Sequence, residues 1–382
     1  MLSGEGGFKS GRSMSRNPYE DLPPDRFWKH GVATASSSAP PNLYCAKWKI
    51  EKSDRIATAG SCFAQHISRH LKQGGFSLLD VEPPPIPLPV ERHHAYGYSL
   101  YSARYGNIYT SRQLLQIARE AFEGFTPSEV AWTKRGAFYD CFRPGVEPVG
   151  LSSPLEVADH RRYHIERVRD LFLSMDIFIF TLGLTECWIN SSGGEAYPTV
   201  PGSIAGTFDP DRYVFKNLTF GEIYKDILRF REIIDAARGG RPFRILLTVS
   251  PVPLTATASD QHVLQATIYS KSVLRAVAGQ LQSEFDEIDY YPSYEIITHP
   301  WATRDFFESN KRTVSSQGVA LAMKTFMDEH TTLRPSATLG AAPASALATR
   351  SGDVPEHSPR EAGESDLKCE EYLLEQWAGE TR

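Results

Sequence analysis

Several familiar kinds of protein are excluded by what this chain lacks. Its five cysteines are scattered and odd in number, with no Cys-x-x-Cys pair. That argues against a disulfide framework or a zinc site and fits a reducing compartment. No apolar run approaches the ~20 residues that span a bilayer. The first residues, Met1 to Phe8, have no hydrophobic core of the secretory kind, so a cytoplasmic location is expected. Net charge is −5 with both signs mixed along the chain, which gives no basic footprint for nucleic acid. No Walker motif or G-x-G-x-x-G follows a strand, so no nucleotide or other cofactor is expected.

What is present suits a globular α/β protein. The 382 residues are 41% hydrophobic and 11% aromatic, enough for a sizeable core. Five segments rich in β-branched and aromatic residues read as buried parallel strands: 55–59, 76–81, 176–182, 243–249 and 287–291. Helical patterns over 62–73, 161–174, 220–237 and 263–285 follow or separate them. Strands alternating with helices predict right-handed crossovers and a doubly wound, three-layer parallel sheet of about five strands.

One main domain is expected over 17–330, with 1–16 as a flexible leader. The interval 83–160 interrupts the alternation and reads as an insertion. It opens with a polyproline-like run from Pro83 to Pro89, then carries Tyr96, Tyr98, Tyr101, Tyr105 and Tyr109. A helix over 111–122 and a hairpin over 132–143 should follow. Such an insertion can cover the carboxyl edge of the sheet as a lid, or its tyrosines can serve packing alone. Residues 331–382 are poor in large apolar groups until Leu367 and read as a disordered tail, with a short amphipathic helix over 367–377.

The run from Arg55 to His66 carries the most chemistry. A short apolar strand ends in Gly60, Ser61, Cys62 and Phe63, and a helical pattern starts at once. Gly60 permits a tight turn, and Ser61 stands where helix amides begin. Ser61 is then either a nucleophile at the carboxyl edge of the sheet, its own amide serving an oxyanion, or simply a helix N-cap. Cys62, one residue on, should turn into sheet–helix packing.

Gly60-Ser61-Cys62-Phe63-Ala64 spells the signature of the GSCFA family, and the chain resembles that family over about 17–328. Supporting motifs run in order: Asn17-Pro18-Tyr19, Tyr105 to Thr110, Thr181 to Glu186, Leu247 to Val252, Tyr269 to Ser272 and Tyr291 to Glu295. The family in turn resembles SGNH/GDSL hydrolases. That resemblance implies flavodoxin-like strand order, Ser61 as nucleophile and Gly106 as the oxyanion-hole glycine. Asn107 and Tyr105 beside it become candidates for substrate binding.

Two departures from the hydrolase pattern stand out. Where an Asn two residues after a Gly is usual, this chain has Gly183, Leu184, Thr185 and Glu186. Thr185 can still donate through its hydroxyl to the oxyanion. Glu186 can act as a base, orient a histidine or bind substrate hydroxyls, or be merely a helix-start acid. The second departure is larger. The usual Asp-x-x-His aligns with Asn310, Lys311, Arg312 and Thr313, and neither Asn nor Thr accepts a proton near neutral pH.

Two histidines at the same sheet edge are candidates for the missing base. His262 follows the long loop after the fourth strand, and His299 follows the fifth; His262 is preferred because its loop can fold back toward Ser61. His66 and His70 have helical i, i+4 spacing but no supporting ligands, so no metal is expected. Lys271 is read as a surface cation or as a minor binder of a substrate anion. The expected function is an SGNH-like serine esterase or O-acyltransferase acting on a small-molecule or glycan acyl ester, acetyl above all. The alternative is a degenerate SGNH-fold protein that binds a glycan or acyl group.

Overall fold

The computed structural model describes residues 17–34, 40–299, 306–331 and Leu374. The leader over 1–16 and the tail beyond 331, with its expected helix over 367–377, therefore lie outside the described residues, Leu374 apart. In chain order the first half holds β1 (Ile56–Gly60), α1 (Ala64–Gln73), α2 (Ser111–Phe122), β2 (Ala131–Lys134), β3 (Ala137–Asp140) and α3 (Pro154–Ser174). There follow β4 (Ile177–Leu182), β5 (Glu186–Asn190), β6 (Ala196–Tyr197), β7 (Tyr213–Asn217) and α4 (Phe220–Ala237). The last are β8 (Arg244–Val249), α5 (Val263–Glu284), β9 (Ile288–Tyr291), α6 (Ser293–Thr298) and α7 (Ser316–Thr331).

Helix starts follow from local chemistry. Thr110 and Gln113 form a capping box at α2, as do Thr219 and Glu222 at α4. Ser153 caps α3 with Pro154 in the first turn, where a missing N–H costs nothing.

The central sheet is parallel, in the order β1-β4-β8-β9. Both faces are buried, which explains the near-continuous apolar runs. Ala57, Phe178, Phe180, Leu247 and Ile288 face one layer of core, with α3, α4 and α5 packed on it. Ile56, Ile177, Ile179, Leu246 and Tyr291 face the other, under α1, α6 and α7. The architecture is α/β with a four-stranded parallel sheet between helices, compatible with a flavodoxin-like fold.

The expected fifth strand over 76–81 is reduced to a single parallel bridge from Leu78 to Ile56. Beyond Ile56 the outer edge of β1 is already taken. The Thr58 amide donates to Ser102 Oγ at 2.9 Å, and the Ile108 amide donates to Gly60 O at 2.9 Å. The Val81 amide turns instead to Ser102 O, and the prolines that follow have no amide to offer.

A second, antiparallel sheet of order β6-β5-β7 was not foreseen. It starts only a few residues beyond β4, and its Tyr197 and Tyr213 pack with Trp132, Tyr139 and Phe142 around the β2–β3 hairpin. Near the first residue of β1, a strap around Tyr44 and Ile50 is tied to the end of α7. The Ile50 amide donates to His330 Nδ1 at 3.2 Å, and the Ala46 amide donates to Glu329 at 3.1 Å. Among the described residues no helix is long and apolar enough to cross a membrane.

Candidate active site

The site begins with two glycines that no other residue can replace cheaply. Gly60 closes β1 at φ +138°, and a Cβ there would lie 2.5 Å from Thr181 O. Gly183 follows β4, and a Cβ there would meet Ser61 Cβ at 2.8 Å and Tyr109 O at 3.1 Å. Both absences of a side chain let three backbones converge: the end of β1, the end of β4 and the insertion. Tyr109 O completes the junction by accepting the amides of Gly183 at 3.0 Å and Leu184 at 2.9 Å.

Ser61 sits in this junction. Its side chain is 3% exposed, and its Oγ has no hydrogen-bond partner. The Oγ1 atoms of Thr181 and Thr185 are likewise buried and unbonded. Leaving a buried hydroxyl unpaired costs about 1–3 kcal/mol, so three around one glycine call for an explanation. Ser61 does not cap α1, which lacks any side-chain cap, so that alternative falls. Its amide, expected to serve an oxyanion, instead continues the sheet by donating to Thr181 O at 3.1 Å.

The helix α5 closes the other side. Ser270 Oγ accepts the Thr185 amide at 3.1 Å, and Lys271 Nζ donates to Gly183 O at 2.6 Å. Lys271 is only 1% exposed, so it is no surface cation. Tyr109, Leu184, Leu254 and Ala266 form a small apolar cluster beside these bonds. The signal that could have found Lys271 was its register: Ala266, Ser270, Lys271 and Leu274 share a helical face, and that face is buried.

The other expected residues divide. Gly106 is buried at φ +67°, a backbone that suits glycine. Asn107, also buried, accepts at Oδ1 from the Tyr101 hydroxyl and from Gln65 Nε2 at 3.4 Å. The same Tyr101 hydroxyl lies 3.1 Å from Ser61 O, which ties Asn107 to the turn. Tyr105, expected to meet substrate, is a core residue. It is 1% exposed, donates to Thr58 O, and burial holds its phenol well above the usual range. Cys62 is buried, as packing requires.

Neither histidine bonds Ser61. His262 is exposed and is the N-cap of α5, its Nδ1 accepting the Leu264 amide at 3.1 Å. His299 packs edge-on against Trp28, with ring centroids 5.4 Å apart. Asn310 and Thr313 stand 2.9 Å apart and bond each other, while Asn310 Oδ1 also accepts the Arg312 and Thr313 amides. They hold a turn. Among the described residues no three or more His, Cys, Asp or Glu side chains are grouped to hold a metal ion.

Glu186 opens a strand rather than a helix. It lies in the wall of a cleft of about 150 Å³, together with Leu184, Trp188, Phe215, Leu254 and Leu374. Burial pushes its carboxyl above the usual range, against a bond at 2.7 Å from Thr257 and one from the Ala258 amide.

These features define an α/β protein whose buried, unpartnered serine stands at the carboxyl edge of a parallel sheet. The family model for the GSCFA family matches residues 55–326, and the chain belongs to that family. No curated protein and no solved structure matches it.

Proposed function

We propose that the chain is an SGNH-like serine esterase or O-acyltransferase acting on acyl esters, acetyl esters of a carbohydrate first among them. One observation carries this reading: the buried Ser61 Oγ, held on a glycine turn at the carboxyl edge with no bond to satisfy it. A nucleophile must be uncommitted before it attacks, and Ser61 Oγ meets that requirement. Thr185, buried with its hydroxyl unbonded, is the donor for the oxyanion, joined by Gly106. The half-buried Glu186 and the cleft beside it supply the seat for the carrier.

The segment from Tyr105 to Thr110 acts as the inner part of a lid. With Ser61 3% exposed, an ester reaches Oγ only after neighbouring segments part. Reaction should therefore be slow and limited by opening.

A second reading rests on its own observation. Asn310 and Thr313 bond each other and His262 caps a helix, so among the described residues no imidazole is bonded to Ser61. On that ground the protein keeps the SGNH scaffold and binds a glycan or acyl group without turning it over.

Labelling with a serine-directed fluorophosphonate and turnover of p-nitrophenyl acetate separate the two. The esterase reading expects both in the native chain and neither in Ser61→Ala, while His262→Ala and His299→Ala stay active. No labelling of the native chain, or undiminished labelling of Ser61→Ala, rejects serine catalysis.

A further inference from the structure

The segment that fails to join the sheet borders a cavity. Residues 76–80 meet β1 only through the bridge at Leu78, and the insertion takes the rest of that edge. Between α1, residues 76–80 and residues 94–101 lies a cleft of about 490 Å³, within the size range of small-molecule sites. It shares no lining residue with the smaller cleft at Glu186.

Helix α1 supplies one wall. Gln65, Ser68, Arg69 and Lys72 stand at i, i+3, i+4 and i+7, on one helical face, and all four line the cleft. Among the described residues the Arg69 and Lys72 side chains form no hydrogen bond or ion pair. Asp80 is the one carboxylate in the wall; its Oδ1 accepts the Glu82 amide at 3.2 Å, and Lys72 lies in its field. Asp80 thus answers Lys72, and Arg69 is left without an acid. The charge of Arg69 falls on His66 instead, whose imidazole is held at about 3 by burial first and then by Arg69 and His70.

The rest of the wall is mixed. Phe76 and Leu100 are buried and apolar, while the exposed Ser77 and Ser99 offer hydroxyls. Ser99 has φ +61°, a left-handed backbone unfavourable outside glycine, so the turn that lines the cleft is held against its own preference. A sugar ring has the same division, with C–H groups on its faces and hydroxyls around them. An unpaired guanidinium adds a fork suited to phosphate or carboxylate.

We propose that this cleft binds a hexose-sized sugar carrying one anionic group, phosphate or carboxylate, with the anion on Arg69 and ring hydroxyls toward Asp80. The site goes beyond the esterase reading, because Ser61 is not in its wall. The two adjoin nonetheless. Gln65 Nε2 donates to the Tyr101 hydroxyl at 3.1 Å, and that hydroxyl donates to Ser61 O at 3.1 Å.

The test is titration calorimetry of the full chain with glucose 6-phosphate, glucuronate, glucose and inorganic phosphate, alongside thermal melting. One of the two anionic sugars should bind and raise the melting temperature, and the tighter of them identifies the anion. Glucose and inorganic phosphate should each bind about tenfold or more weakly, since each lacks part of the recognition. Arg69→Gln should melt like the native chain and bind the anionic sugar about tenfold or more weakly. Lys225→Gln, which removes an exposed charge on α4, should bind it unchanged. The proposal is wrong if neither anionic sugar binds, or if glucose or inorganic phosphate matches the tighter one. It is equally wrong if Arg69→Gln binds like the native chain, or if Lys225→Gln loses as much as Arg69→Gln. None of these results alters fluorophosphonate labelling at Ser61, so the two readings stand or fall separately.

Discussion

At the scale of single residues the site is shaped by absent atoms as much as by present ones. Gly60 and Gly183 differ in why they must be glycine, and the difference is measurable. Gly183 has an ordinary backbone, and an added methyl meets the Ser61 side chain and Tyr109 O. Overpacking of this kind costs about 1–3 kcal/mol, so Gly183→Ala should fold with a lowered urea midpoint and lose fluorophosphonate labelling. Gly60→Ala adds a left-sided φ of +138° to a 2.5 Å clash with backbone, and should lose more stability than Gly183→Ala. Equal midpoints for the two variants would contradict this account. Lys271 teaches a related lesson. Its charge reads as surface in the sequence, but it shares the buried face of α5 with Ala266, Ser270 and Leu274, and α5 carries that face inside.

Among elements, the contact between α2 and α4 ties the insertion to the main body. Asp226 on α4 is buried and accepts from Ser111 Oγ at 3.0 Å and from Arg112 Nε at 3.0 Å. Asp226→Asn removes the charge that Arg112 needs and should cost about 1–3 kcal/mol in urea unfolding. An unchanged midpoint would show that α2 is held by its apolar face alone.

Elements of this kind were the legible part of the sequence. The helices over 111–122 and 220–237 match the expected bounds because each begins at a Thr whose hydroxyl closes a capping box. The strands over 176–182 and 243–249 shift by a single residue, since sustained apolar runs can only be buried strands here. The strand over 76–81 failed because its partner edge was claimed by Ser102 and Ile108, a competition no local pattern reveals. The sheet of β5, β6 and β7 was missed because β5 starts so soon after β4 that the two read as one motif. Within the site, Ser61 and the glycines were legible from turn chemistry, whereas the buried bond from Lys271 to Gly183 O was not, because it depends on how α5 packs against the strand ends.

For the molecule as a whole, buried ionisable groups make folding sensitive to acid. His330 is held at about 4 by burial first, then by the charges of Lys49 and Arg244, against Glu329. Below its ordinary 6.5 the unfolded chain takes up a proton that the folded one refuses until about 4. Stability therefore falls with pH across that window, by up to about 1.4 kcal/mol per pH unit for this group. His164 is lowered in the same direction by burial and by Arg143, although Glu82 opposes it. Burial pushes Glu82 up, but His164, Arg143 and the Arg104 amide outweigh it and hold the carboxyl at about 2 instead of 4.5. That contribution is complete above about 4.5 and is lost as pH falls toward 2. Urea midpoints should decline from pH 7 to 5 to 4, and His330→Gln should flatten the decline between 6.5 and 4. A midpoint independent of pH over this range would refute the assignment.

The strap around Tyr44 and Ile50 gives similarity and mechanical integrity different borders. Family resemblance is written in residues 55–326, yet the core on one face of the sheet is finished by Tyr44 and Ile50 upstream, and His330 downstream anchors both. Any rearrangement or trimming that respects only the shared portion strips a clasp from the sheet's edge.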